Sequence, residues 1–118
     1  MEITIIFAIL IIHWIADFIL QTDSQAKGKS KEWKPLLQHT INYSLVWFLA
    51  VGLFLGLEKA LIFTSITFVA HTITDYFTSR LNSRLWAQGK THEFFVTVGF
   101  DQILHYIQLI LTYILISA

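Results

Sequence analysis

The sequence predicts an all-α polytopic membrane protein, an antiparallel bundle of four transmembrane helices forming one domain over residues 1–118, and three observations carry that expectation. Hydrophobic residues make up 55% of the chain and charged residues only 14%, with mean hydropathy +0.61, which leaves too little polar surface to clothe a soluble globule of this size. The apolar residues fall into four runs of membrane-spanning length. The basic residues collect in two of the three segments between those runs.

The first span covers residues 3–20 and ends in a polar stretch, 21–34, that holds Gly28, Ser30 and four lysines. It lacks the positive start and small-residue cleavage site of a signal peptide and is read as a retained span. Pro35 suits the first turn of a second helix, 36–56. Gly52 and Gly56 are spaced as a small-residue packing contact on it. A tight Leu57-Glu58-Lys59 connection leads to a third span, 60–79. A loop or short interfacial helix with Arg80, Arg84, Trp86 and Lys90 precedes the fourth, 93–116. No internal repeat is evident, and an antiparallel bundle is the economical arrangement.

Seven of the eight basic residues lie in the first and third loops, so the positive-inside rule puts both loops in the cytosol and both termini outside. Net charge is zero, which gives no reason to expect a nucleic-acid partner. The absence of cysteine removes disulfides, thiolate ligands and a Cys nucleophile.

Three spans carry a His and an Asp four residues apart: His13/Asp17, His71/Asp75 and Asp101/His105. Four residues is about one helical turn, so each pair shares a helix face. A rise of about 1.5 Å per residue puts Asp17 and Asp75 roughly 6 Å inside the cytosolic ends of their spans, with His13 and His71 roughly 12 Å in. The fourth span runs the other way and its order reverses, leaving Asp101 about 10 Å and His105 about 16 Å in. His39 and His92 fall near the same surface, so all five histidines gather in the cytosolic half. Ionisable groups at that depth are costly unless paired, wetted or bound to an ion.

Imidazole with carboxylate is a ligand set for zinc first, and for manganese, iron or magnesium, as one ion or two. Asp17, His71, Asp75, Asp101 and His105 are the expected ligands, with His13 either a ligand or a partner that orients one. His39 is expected as a ligand, a general acid or a substrate contact. His92 and Glu93 suit acid or base roles at the mouth, or simply a helix start with a favourable Glu in its first turn. Asn42 and Tyr43 share the face of His39, and Gln102 adjoins Asp101, which makes these three candidate substrate contacts.

His13-Trp14-Ile15-Ala16-Asp17-Phe18-Ile19-Leu20-Gln21-Thr22-Asp23, Leu36-Leu37-Gln38-His39, His71-Thr72-Ile73-Thr74-Asp75-Tyr76 and Gly99-Phe100-Asp101-Gln102-Ile103-Leu104-His105 carry a resemblance over nearly the whole length. The chain resembles the small bacterial and phage membrane proteins grouped as domain of unknown function thirty-three-oh-seven, which implies a bacterial inner membrane and no particular activity. It is more loosely similar to membrane-bound metal-dependent hydrolases, although only Thr91-His92 matches their His-Arg-x-x-Thr-His signature.

The expected function is a membrane-embedded metal-dependent hydrolase, open to the cytosol and acting on a membrane lipid or other amphiphilic phosphoester. The alternatives are a metal-ion or proton transporter, a haem protein using His13, His39, His71 and His105, and a non-catalytic accessory protein held together by its polar layer. A homodimer is a possible assembly.

Overall fold

A computed structural model describes residues 1–118 and is helical throughout. Helix α1 (Ile3–Trp14) continues into a π-helical turn (Ile15–Ile19), followed by α2 (Asp23–Gly28), α3 (Trp33–Leu55), α4 (Leu57–Ala87) and α5 (Thr91–Ser117). Helices α3, α4 and α5 are long and apolar enough to cross a membrane, whereas the Ile3–Ile19 segment is apolar but shorter.

Helix α4 packs along both α3 and α5, and α1 closes the opposite side by touching α3 and α5 but not α4. The four long elements therefore surround a common axis, within a body of 45 × 28 × 20 Å. Thirteen of the 23 buried residues are polar, while Phe7, Leu49, Leu53, Phe54, Phe77 and Leu111 point outward. That inversion suits a surface bathed in acyl chains, where burial need not be driven by apolar side chains. The apolar part of the core, with Ile9, Trp47, Val51, Phe63 and Ile116, fills the end of the bundle nearer both termini.

Several boundaries differ from those expected. The segment with Arg80, Arg84 and Trp86 is neither a loop nor a separate helix: α4 runs unbroken to Ala87. No Gly or Pro interrupts it before Gly89, which takes φ +70°, and Arg80 both donates to the Tyr76 carbonyl and lies over the Tyr76 ring. Leu57-Glu58-Lys59 is not the second connection but the first turn of α4; Gly56 alone makes the reversal, at φ +94°. Gly56 is thus a turn residue and not a packing contact, whereas a Cβ at Gly52 would lie 3.6 Å from Ala60 on α4.

The polar stretch after the first span holds α2, whose start is a capping box: Gln25 N–H donates to Thr22 Oγ1 and Thr22 N–H to Gln25 Oε1. Replacing Thr22 by Ala should destabilise this turn by about 1 kcal/mol, read as faster amide exchange over 23–28 with the rest of the bundle unchanged. Helix α2 lies so close to α3 that a Cβ at Gly28 would meet Pro35 Cγ at 2.7 Å. This close approach delivers the next residue, Lys29, to the bundle interior.

Candidate metal centre

Each helix contributes by its own periodicity. On α4 the buried stripe Thr67, His71, Asp75, Ser79 repeats every four residues, and on α5 Asp101 and His105 do the same. Asp17 sits inside the π turn, a rare geometry that recurs at functional sites. His39 faces inward from the second turn of α3.

These side chains meet. His39 Nε2 donates to Asp17 Oδ1 at 2.9 Å and lies 3.3 Å from Asp75 Oδ2. His71 Nε2 lies 3.3 Å from Asp75 Oδ2 and 3.6 Å from Asp17 Oδ1. His105 Nε2 stands 3.3 Å from both Asp75 Oδ1 and Asp101 Oδ2. Neither His71 ring nitrogen, nor His105 Nε2, completes a hydrogen bond despite full burial. Imidazole nitrogens left without hydrogen bonds beside carboxylate oxygens are a donor set of the kind that could hold a cation. Two groups are compact enough to hold an ion, with one donor atom per residue lying within 4.8 Å of the others: Asp17, His39, His71 and Asp75, and separately Asp17, Asp101 and His105.

Around these donors runs an orienting network. Tyr43 Oη donates to His13 Nδ1 at 2.8 Å, and His13 Nε2–H donates to Gln102 Oε1 at 2.6 Å. The Gln102 amide then donates to Asp17 Oδ2 at 3.3 Å and to Asp101 Oδ2 at 3.1 Å. Thr78 donates to Asp101 Oδ1 at 2.6 Å.

Lys29 places its ammonium 3.1 Å from Asp75 Oδ2. Burial opposes its charge, but Asp75 and Asp17 outweigh that opposition and hold its pKa above the usual lysine value.

The expected ligands Asp17, His71, Asp75, Asp101 and His105 are thus brought together, and His39 joins them as a donor instead of standing apart as a catalytic group. His13 does not join: both its ring nitrogens are engaged, and it orients Gln102. Tyr43 is a fully buried partner of His13, while Gln102 bridges two carboxylates. Asn42 is exposed, because one residue along a helix turns it away from Tyr43. His92 and Glu93 are also exposed, in the first turn of α5, and eight residues, about 12 Å of helix, separate Glu93 from Asp101. Lys29 and Thr78 are the participants that sequence reasoning missed. Thr78, three residues past Asp75, was findable from helix geometry; Lys29, one of four lysines in its loop, was not.

A cleft of about 660 Å³ opens beside the cluster. Asp17, Asp101 and Gln102 line it, Lys27, Lys29 and Lys31 make it basic, and Phe18, Trp86, Phe94 and Phe95 give it an apolar wall. In the other direction the hydrogen-bonded polar column reaches Thr67, Gln108 and Thr112, where Gln108 donates to both hydroxyls, and only the isolated Thr64 Oγ1 and Trp47 Nε1 follow. Beyond them lies the apolar core with Phe63, Val51 and Ile116.

The family model described as "Protein of unknown function (DUF3307)" matches residues 5–118. Neither the curated proteins nor the solved structures contain a match to the chain, so the looser similarity to membrane-bound metal-dependent hydrolases gains no support. With the family model matched over residues 5–118, the chain belongs to the DUF3307 family.

Proposed function

We propose that the chain is an intramembrane metal-dependent hydrolase that takes a lipid or other amphiphilic phosphoester through the basic cleft. In this reading Ile3–Ile19 joins α3, α4 and α5 as a fourth span of an antiparallel bundle in a bacterial inner membrane. The lysine-rich loop faces the cytosol, and both termini lie outside. The observation that carries the reading is the set of unbonded His71 and His105 nitrogens beside Asp17, Asp75 and Asp101, of which Asp17 and Asp101 line an open cleft. Zinc is the first choice for such nitrogen and oxygen donors.

The chemistry is ordinary hydrolysis. Asp17, His39, His71, Asp75, Asp101 and His105 would hold the divalent ion, which would supply an activated water as nucleophile toward phosphorus. A new P–O bond forms, the P–O bond to the alcohol breaks, and the water's proton leaves with the alcohol. Lys27 and Lys31 offset charge on the phosphate while the aromatic wall takes the apolar part of the substrate. Hydrolysis is favoured over transport because the hydrogen-bonded polar column stops at Thr67, Gln108 and Thr112, where a transport path would have to continue. An ion is favoured over haem because the His39, His71 and His105 rings pack within 4.6–5.1 Å of their neighbours, leaving no slot for a macrocycle.

The test is single-turnover release of phosphate or alcohol by zinc- or manganese-loaded protein in vesicles containing phospholipids and polyprenyl phosphates. Release that stops on chelation supports the proposal; no release from any phosphoester class overturns it. Replacing Gln102 by Ala should weaken metal affinity by about 10–100-fold in chelator competition, since this amide holds two of the carboxylates in place. Unchanged affinity would remove Gln102 from the site.

A further inference from the structure

Asp17 belongs to both ion-sized groups, and its two oxygens face different ways. Oδ1 meets His39 and His71, which together with Asp75 form the four-residue group. Oδ2 meets the Gln102 amide, whose other carboxylate contact is Asp101, a member of the three-residue group with His105. A carboxylate that belongs to two neighbouring donor sets is placed to bridge two ions, which in paired sites stand about 3.5–4 Å apart.

Resting on the metal-centre reading above, we infer that the cluster holds two unequal divalent ions bridged by Asp17, and that only the ion held by Asp17, Asp101 and His105 carries the reacting water. The two sets differ in number and in access. His39, His71 and Asp75 complete a four-donor set and do not line the cleft, as suits a closed, tightly held ion. Asp101 and Asp17 do line it, and their set supplies three protein donors, which leaves a position for water facing the substrate. Both positions already draw N–H donors from the protein itself. The Lys29 ammonium sits against Asp75 in the first, and the Gln102 amide hydrogens lie between Asp17 and Asp101 in the second. His71 and His105, buried and without hydrogen bonds at Nε2, give each position one free nitrogen donor.

The inference is tested on the full chain in detergent or nanodiscs, equilibrated with Mn²⁺ and examined by elemental analysis and electron paramagnetic resonance. The expected result is two ions per chain with a spin-coupled spectrum. In Asp101→Asn one ion should remain, chelator-resistant and with an uncoupled mononuclear spectrum. In Asp75→Asn the resistant ion should be the one lost. One uncoupled ion in the unmodified protein overturns the two-ion inference and leaves a mononuclear hydrolase standing, whereas no bound ion removes both readings. Should either variant fail to fold, stoichiometry and spin coupling in the unmodified chain decide the matter alone. If both variants retain two coupled ions, the assignment of donors is wrong.

Discussion

Replacing Asp17 by Asn is expected to abolish metal-dependent turnover and to reduce bound metal more than any other single change. Asp17 is the one residue common to both donor sets, and its oxygens contact His39, His71 and Gln102. The amide keeps the shape but loses the charge, and its NH₂ group turns one ligating oxygen into a donor. Removing partners that merely orient ligands costs about 10–100-fold in affinity, so loss of the shared ligand should exceed about 100-fold. Chelator competition and single-turnover kinetics on the same preparation measure both effects. A variant that keeps metal and loses only turnover would make Asp17 a proton-transfer group instead of a ligand.

The second large effect is on stability. Asp75 is fully buried and is approached by Lys29, His39, His71 and His105 from three helices and the loop after α2. Truncation to Ala strands a buried ammonium and three imidazoles without their shared carboxylate. Breaking a buried ion pair from one side costs about 3–5 kcal/mol, and the metal-free Asp75→Ala variant should lose stability of that order. The paired change Lys29→Met with Asp75→Ala should recover part of the loss, because the stranded charge goes too. A thermal or denaturant midpoint measured in a fixed detergent tests this. A single variant as stable as the parent would mean that water reaches the cluster freely and the carboxylate is not structurally required.

How far the site could be read from residues alone depends on whether a contact lies within one helix or between helices. The His71/Asp75 and Asp101/His105 pairs are local, one turn apart, and helical periodicity suffices to place them. Reversal of the pair order on α5 likewise requires only that consecutive helices be antiparallel. Which nitrogen meets which oxygen across the bundle depends on helix rotation, which periodicity does not specify. Hence His39, unpaired within its own helix, enters the donor set, while His13, 3.5 Å from Asp17, spends its hydrogen bonds on Tyr43 and Gln102. Lys29 depends on how closely α2 approaches α3 at Gly28 and Pro35, a packing detail with no periodic signature. His92 and Glu93 were placed near the site by counting from the mouth of the span, but the helix begins at Thr91 and holds them out in solvent.

The fold shows the same division. Apolar runs mark α3, α4 and α5 well, because length and hydropathy are additive along the chain. The end of α4 was hidden because Arg80, Arg84 and Trp86 resemble a loop by polarity, although nothing before Gly89 breaks a helix. Helix α2 lies within the polar stretch read only as the end of the first span, although Thr22 and Gln25, three residues apart, have the capping-box pattern.

The most direct measurement is the metal content of the freshly purified, full-length protein by plasma mass spectrometry, before and after dialysis against zinc or manganese. A divalent metal bound at one or more ions per chain, and lost in Asp75→Ala, is the predicted result. Protein that carries no metal when isolated and takes up none on dialysis, while remaining folded, would contradict the metal centre and reduce the buried His/Asp layer to an interhelical hydrogen-bonding network.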